Sequence, residues 1–212
     1  VFEWDPVYSA LYLEIVPELH PGDNNSTHMC RAIKHFEFQG LTYLAAAYFR
    51  NESSLVVNSH IFQWYETPSL GPGLKSVVRI PTNGCSFIQY TEVSWMDQGL
   101  GLIFVNNMFG KILDGEDAGS IEIYSLSVIV LQYEDLGQTA QTSTARNTLR
   151  LQISPLQSIL ASGPVHVEPF KIRFARKEFV AIASKGYDVD FEDFDLTGYD
   201  VPSHIYVWNG ST

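Results

Sequence analysis

One short segment recurs four times along the chain: Val1-Phe2-Glu3-Trp4, Ile61-Phe62-Gln63-Trp64, Ile123-Tyr124-Ser125-Leu126 and Ile205-Tyr206-Val207-Trp208. Each copy reads aliphatic, aromatic, variable, large apolar. Ser59-His60 precedes the second copy and Ser203-His204 the fourth, so these two are near-identical hexapeptides. Successive copies begin 60, 62 and 82 residues apart. The spacing implies a unit of about sixty residues with one insertion of about twenty. Self-similarity on that scale predicts a stack of similar supersecondary units, none of which buries its apolar face alone.

The stretches between the copies read as short strands. Val7 to Val16 is strand-like and is followed by the turn-rich His20-Pro21-Gly22-Asp23-Asn24-Asn25-Ser26. From Cys30 to Phe38 apolar Ala32, Phe36 and Phe38 fall on alternate positions, the pattern of a half-buried strand. Leu41 to Phe49 is almost continuously apolar, with small Ala45, Ala46 and Ala47, and predicts a strand buried on both faces. Ser59 to Trp64 follows, then a turn over Pro68 to Gly73 and a strand to Ile80. The order repeats from Cys85 to Val93, Gly99 to Asn107, Ile121 to Leu126 and Leu149 to Ile153, and again from Val165, Glu178 and Ser203. Taking the motif as the marker, the units run over 5–64, 65–126 and 127–208, the third carrying a polar inserted loop near 133–148. No stretch reads as an amphipathic helix.

Repeated units of four antiparallel strands predict an all-β chain, a β-propeller or a portion of one, with about three to three and a half blades here. Propellers have about four to eight blades. The array is therefore expected to self-associate or to be completed by further blades, because open blade faces expose apolar rows.

Composition narrows the function classes. Formal net charge is −11, from 13 basic and 24 acidic residues, which disfavours binding to nucleic acid or to an anionic membrane. No apolar run approaches the length of a membrane span, so direct membrane insertion is not expected. The chain opens on neither Met nor a signal peptide, which reads as a processed or excised start. Asn24, Asn25, Asn51 and Asn209 each begin an N-glycosylation acceptor triplet in a polar stretch. They point to a secreted or cell-surface protein.

The WD40, kelch and sialidase-box signatures are absent. The order of motifs does resemble the EAR repeat, also called EPTP. The resemblance rests on Phe36-Glu37-Phe38-Gln39-Gly40, Tyr43-Leu44-Ala45-Ala46-Ala47, Ser59 to Trp64 and Val78-Arg79-Ile80-Pro81-Thr82-Asn83-Gly84. The same order returns at Phe170-Lys171-Ile172, Phe179 to Ala183 and Ser203 to Trp208. The middle copy departs, with Leu126 in place of Trp and Phe104-Val105-Asn106-Asn107 in place of the Ala-rich strand. The resemblance implies a seven-bladed propeller in extracellular proteins, acting as a protein-binding module and not as an enzyme. It also makes Trp4, Trp64, Trp208, Ile61, Phe62, Ile205 and Tyr206 motif residues of the fold.

The candidate chemistry is sparse. Cys30 and Cys85 begin equivalent strands and read as small buried residues; the alternative is a disulfide between adjacent blades, which needs Cα atoms within about 7 Å, while two cysteines make no metal framework. His60 and His204 recur with the structural motif and read as packing residues; His35 and His166 lie near no nucleophile. No catalytic residue is assigned and no cofactor is required. The one concentrated polar feature runs from Tyr187 to Asp195. Its carboxylates Asp188, Asp190, Glu192, Asp193 and Asp195 suit calcium, which takes six to eight oxygen ligands, although the glycine and terminal glutamate of an EF-hand are missing. The same segment suits a solvated loop better, or an acidic docking site for a basic partner anchored by Phe191 and Phe194.

The expected function is a non-catalytic extracellular recognition or adhesion module that presents loops to a secreted or cell-surface protein. The loops are 21–28, 133–148 and the acidic segment. The alternative is a structural subunit of an extracellular filament or matrix joined through blade edges. A propeller hydrolase is less favoured, because no convergent acids, bases or metal ligands recur.

Overall fold

The computed structural model describes residues 2–5, 10–13, 29–67, 71–93, 100–113, 116–133, 146–161, 163–172, 177–184 and 203–208. Among them there is no helix, and strands account for nearly everything. A two-stranded sheet pairs β1 (Phe2–Asp5) with β2 (Ala10–Leu13). The first four-stranded sheet is a meander of β3 (Met29–Phe38), β4 (Leu41–Arg50), β5 (Val56–Thr67) and β6 (Gly71–Asn83). The second is β7 (Cys85–Val93), β8 (Leu100–Leu113), β9 (Glu116–Tyr133) and β10 (Arg146–Ala161). The third has β11 (Pro164–Ile172), β12 (Lys177–Ser184) and β13 (His204–Trp208). Every pairing is antiparallel between sequence neighbours.

Sheets, not motifs, set the phase of the architecture. The second, third and fourth copies of the motif lie on the third strands of their sheets, β5, β9 and β13, and Phe2 to Trp4 of the first on β1, so divisions at 64, 65, 126 and 127 fall inside sheets whose own spans begin at Met29, Cys85 and Pro164. The inserted polar stretch lies between the third and fourth strands of the second sheet, β9 and β10. Several strands outrun their sequence signal. Gly71, Pro72 and Gly73, expected in a turn, begin β6 and pair with Thr67, Glu66 and Tyr65. β9 extends well to either side of Ile121 to Leu126.

Turn chemistry follows local rules. Gln39 and Gly40 join β3 to β4 with φ of 49° and 74°. Two positive φ values in a two-residue loop match the twist of a tight hairpin. Gly84 alone carries the chain from the first sheet to the second, at φ 60°. Its N–H donates to Leu55 O at 2.8 Å and its carbonyl accepts from Met108 N at 3.1 Å. A Cβ here would lie 2.5 Å from the Phe109 ring, which tilts against Phe49 at 6.2 Å, itself under the Arg31 guanidinium.

The sheets stack face to face. The front of the first sheet contributes Phe36, Phe38, Tyr43, Ala45, Ala47, Ile61, Val78 and Ile80 to one core, and the rear of the second answers with Cys85, Ile88, Ile103, Val105, Leu126 and Leu151. Leu102, Phe104, Ile121 and Ile123 point the other way and meet Val167, Val180 and Ile182 of the third sheet. The second sheet is thus buried on both faces, which is why Leu102 to Val105 shows no polar alternation. β7 lies against β3 and β4, and β11 against β7 and β8, whereas β6 and β10 approach one another less. The sheets therefore converge at their first strands, and the first two splay at their fourth.

The two glycine bends should respond differently to a side chain. Gly40→Ala meets nothing within 4 Å and should cost about 1 kcal/mol, the strain of a positive φ. Gly84→Ala should cost distinctly more, because Phe109 must also move; denaturant unfolding of both variants checks the order.

Candidate functional site

The repeated Ser-His pair is the first place to look for chemistry. Ser59 is fully buried on β5. Its Oγ accepts from the Tyr48 N–H at 3.1 Å and lies 3.0 Å from Thr82 Oγ1, which donates to the Val57 carbonyl at 2.9 Å. In the fourth copy the Ser184 N–H donates to Ser203 Oγ at 3.3 Å. The serine thus makes the same bond to the end of the neighbouring strand in both copies. The middle copy has Ile121 there, buried in the second core.

His60 faces a second serine. Its Nδ1 lies 2.8 Å from Ser76 Oγ, within reach of a nucleophile–base pair. Both residues are buried, however, at 4% and 2% exposure. The imidazole stacks on Phe62 at 5.6 Å and meets the Tyr48 ring edge-on at 5.7 Å. At that burial the pair is a hydrogen bond inside a core. Trp64 is half-buried on the same rear face with Ala46, Phe62 and Leu74.

The cysteines separate. Cys85 is buried in the first core, as expected, but Cys30 is exposed, correcting its reading as a buried small residue. The difference is positional: the N-terminal half of β3 carries an exposed edge, while β7 lies between two sheets. Each Sγ donates to the carbonyl two residues on, Cys30 to Ala32 at 3.5 Å and Cys85 to Phe87 at 3.6 Å. Both thiols are free. Burial pushes the Cys85 thiol up to about 12, against smaller opposing contributions from Ser59 and the Phe87 backbone. Burial, with a lesser push from Glu92, also raises Tyr90 to about 12.

A solvent-accessible polar cluster lies where the first strands of the second and third sheets meet. Gln89 Nε2 donates to Glu168 Oε2 at 3.4 Å, His166 Nε2 lies 3.6 Å from the same oxygen, and the His166 ring sits 4.4 Å from that of Phe87. A groove lies elsewhere among the described residues. It measures about 720 Å³ and opens between β6 and β10, lined by Val77, Arg79, Ile129, Arg150, Gln152 and Ile153 among others. Its lining is apolar apart from the two guanidiniums and the Gln152 amide, and holds no acid–base pair. Its arginines were not singled out from sequence. They lie 71 residues apart, and only the splay of the sheets makes them neighbours.

Asp188, Asp190, Glu192, Asp193 and Asp195, together with Phe191 and Phe194, lie outside the described residues, as do Asn24, Asn25, Asn209 and the loops at 21–28 and 134–145. Trp4 and Trp208 are on β1 and β13. Among the described residues no group of three or more His, Cys, Asp or Glu is placed to hold a metal ion, and no helix is long and apolar enough to cross a membrane. Asn51 is described. Its Oδ1 accepts from the Ser53 N–H at 2.9 Å, the Ser54 N–H at 2.7 Å and the Ser53 hydroxyl at 3.3 Å, making a compact polar turn.

No protein-family model matches the chain, and no curated protein matches it.

Two outcomes follow. Ser59→Ala should cost about 1–2 kcal/mol by stranding the Tyr48 N–H and one side of Thr82, whereas Ser203→Ala, on an exposed residue, should stay within about 0.5 kcal/mol; thermal unfolding distinguishes them. For the thiol, a folded value near 12 above an ordinary value of 9 means that the unfolded chain loses its proton first. Stability should be complete below pH 9 and should fall towards pH 12, with this group contributing up to about 1.4 kcal/mol per pH unit. Cys85→Ala should make the decline shallower in denaturant titrations, leaving a smaller fall above pH 10 from Tyr90.

Proposed function

We propose that the chain is part of an EAR-type β-propeller that works outside the cell as a non-catalytic recognition or adhesion module. The observation that carries this reading is the way the meanders stack: first strands close together, the fourth strands of the first two sheets splayed, and the same motif position, Ile61 and then Ile123, facing the next sheet. Wedge-shaped packing of four-stranded sheets is what a propeller requires of its blades. The polar residues of the repeat support the non-catalytic half of the reading, because Ser59, His60 and Thr82 are engaged in buried structural hydrogen bonds.

Recognition then falls to the connections between strands, which a rigid stack of sheets holds in place while they vary. The partner is a secreted or cell-surface protein. The acidic, aromatic segment at 187–195 is one contact, docking on a basic surface or gathering calcium through its carboxylates. The groove with Arg79 and Arg150 offers a surface of opposite charge.

Immobilised chain should capture cells saturably, and trypsin treatment of the cells should abolish capture. Exchanging Asp188, Asp190, Glu192, Asp193 and Asp195 for their amides should weaken capture. Equal weakening of the parent chain by a chelator would assign those carboxylates to calcium, and no effect of the chelator would assign them to direct docking. An absence of capture would overturn the recognition reading; chains joining one another through strand edges would support the filament reading instead.

The extracellular assignment has its own test at the one described acceptor site. Expressed through the secretory pathway, the chain should carry a glycan at Asn51, and Asn51→Gln should remove one glycan mass while the chain is still secreted. An Asn51 found unmodified in secreted protein would contradict it.

A further inference from the structure

The internal repeat lines up the innermost strands of the three sheets. Ile61, Ile123 and Ile205 occupy the same place, pairing with Ala45, Phe104 and Ala181. Ile61 and Ile123 are buried, whereas Ile205 is exposed. Ala45, Phe104 and Ala181 pair in turn with Lys34, Gln89 and Glu168. Each row therefore ends on a polar side chain: an ammonium in the first sheet, an amide in the second and a carboxylate in the third. His166 lies two residues before Glu168 on β11, so the two share a face of the strand.

We propose that His166, Glu168 and Gln89 form a binding site for a divalent cation of the zinc class, which ties the second sheet to the third. The spacing of the donors is the first argument. Glu168 Oε2 lies 3.4 Å from the Gln89 amide nitrogen and 3.6 Å from His166 Nε2. A tetrahedral cation with bonds of about 2.0–2.2 Å sets its ligand atoms about 3.3–3.6 Å apart. The second argument is the amide itself. Gln89 is 6% exposed, and its Oε1 is buried without a hydrogen-bond partner. Turning the amide over hardly alters its shape and only exchanges one unpartnered atom for the other. Oε1 then stands beside the carboxylate, and two acceptor oxygens at that separation call for a cation between them.

The surroundings hold these donors in place. The Ser86 hydroxyl donates to the Pro164 carbonyl at 3.1 Å on one side of the site, and the Lys171 ammonium to the Glu92 carbonyl at 3.3 Å on the other. β7 and β11 are thus tied above and below it, the support a metal site needs. The Phe87 ring lies 4.4 Å from the His166 imidazole and limits its rotation. An imidazole nitrogen with a carboxylate and an amide oxygen suits zinc better than calcium or magnesium, which take oxygen alone. Only two of the donors are His, Cys, Asp or Glu; the amide completes the set. The first sheet offers no counterpart, because Lys34 carries donors and no acceptor. The proposal is independent of which partner the loops recognise.

Calorimetric titration of the full chain with zinc chloride tests it. One site with a dissociation constant on the order of 1–10 µM is expected, and zinc should raise the thermal midpoint, since it binds the folded chain. His166→Ala should weaken the site by about 100-fold or more and Gln89→Leu by about tenfold. Cys30→Ser, and exchange of Asp188, Asp190, Glu192, Asp193 and Asp195 for their amides, should leave it unchanged. His166 is half-exposed, so His166→Ala should keep the midpoint measured without zinc; Glu168→Gln is the second variant should the first fold poorly. No zinc binding in this range would overturn the proposal. So would a site that survives His166→Ala or Gln89→Leu, or one that is lost with Cys30 or with the acidic segment.

Discussion

Alternate side chains of the second sheet belong to two different cores, and the rest of the chain depends on that alternation staying in register. Ile103 and Val105 reach back to the first sheet while Leu102 and Phe104 reach forward to the third. Slipping β8 by one residue would exchange the two sets and misplace every contact on both sides. Long pairings guard against this: β9 and β10 run together from Tyr133 and Arg146 to Gly119 and Ala161, with a single irregularity at Pro155. Apolar burial supplies the driving force, but the pairing register decides what is buried against what.

Polar groups inside the stack serve the same end. Ser59, Thr82 and the Val57 carbonyl tie β5 to β6, and Ser59 also receives the Tyr48 N–H of β4. Asn107 Oδ1 accepts the Asn83 N–H and so links the second sheet to the last residue of β6. Buried polar bonds of this kind add little net stability individually and are costly to leave half-made, so they specify one arrangement over its neighbours. The outer strands lie far enough apart to leave a groove with two arginines, while the inner strands bring His166, Glu168 and Gln89 together.

Strand identity was legible in the sequence because each strand carries a local pattern. The alternation of Phe36 and Phe38, the unbroken apolar run around Ala45 to Ala47, and the recurring Ile-aromatic motif all mark real strands in their real order. Their limits were less legible. Gly71 to Gly73 continue β6 because Tyr65 to Thr67 pair with them, a preference of the partner strand that overrides local turn propensity. The sheet phase was hidden for a related reason: the motif is conspicuous on the third strand, whereas the sheet ends at Gly84, a single residue. The fates of Cys30 and Cys85 could not be told apart locally, since their strands begin alike and differ only in what packs against them. The arginine groove had no local signal at all.

The equivalence of the three sheets is the central claim, and truncating Ile61, Ile123 and Ile205 to alanine one at a time tests it most directly. Unfolding free energies, measured below any self-association, should fall by about 2–5 kcal/mol for the first two and by less than about 0.5 kcal/mol for the third, which is exposed. Equal losses at all three positions, or no loss at Ile61 or Ile123, would contradict the account.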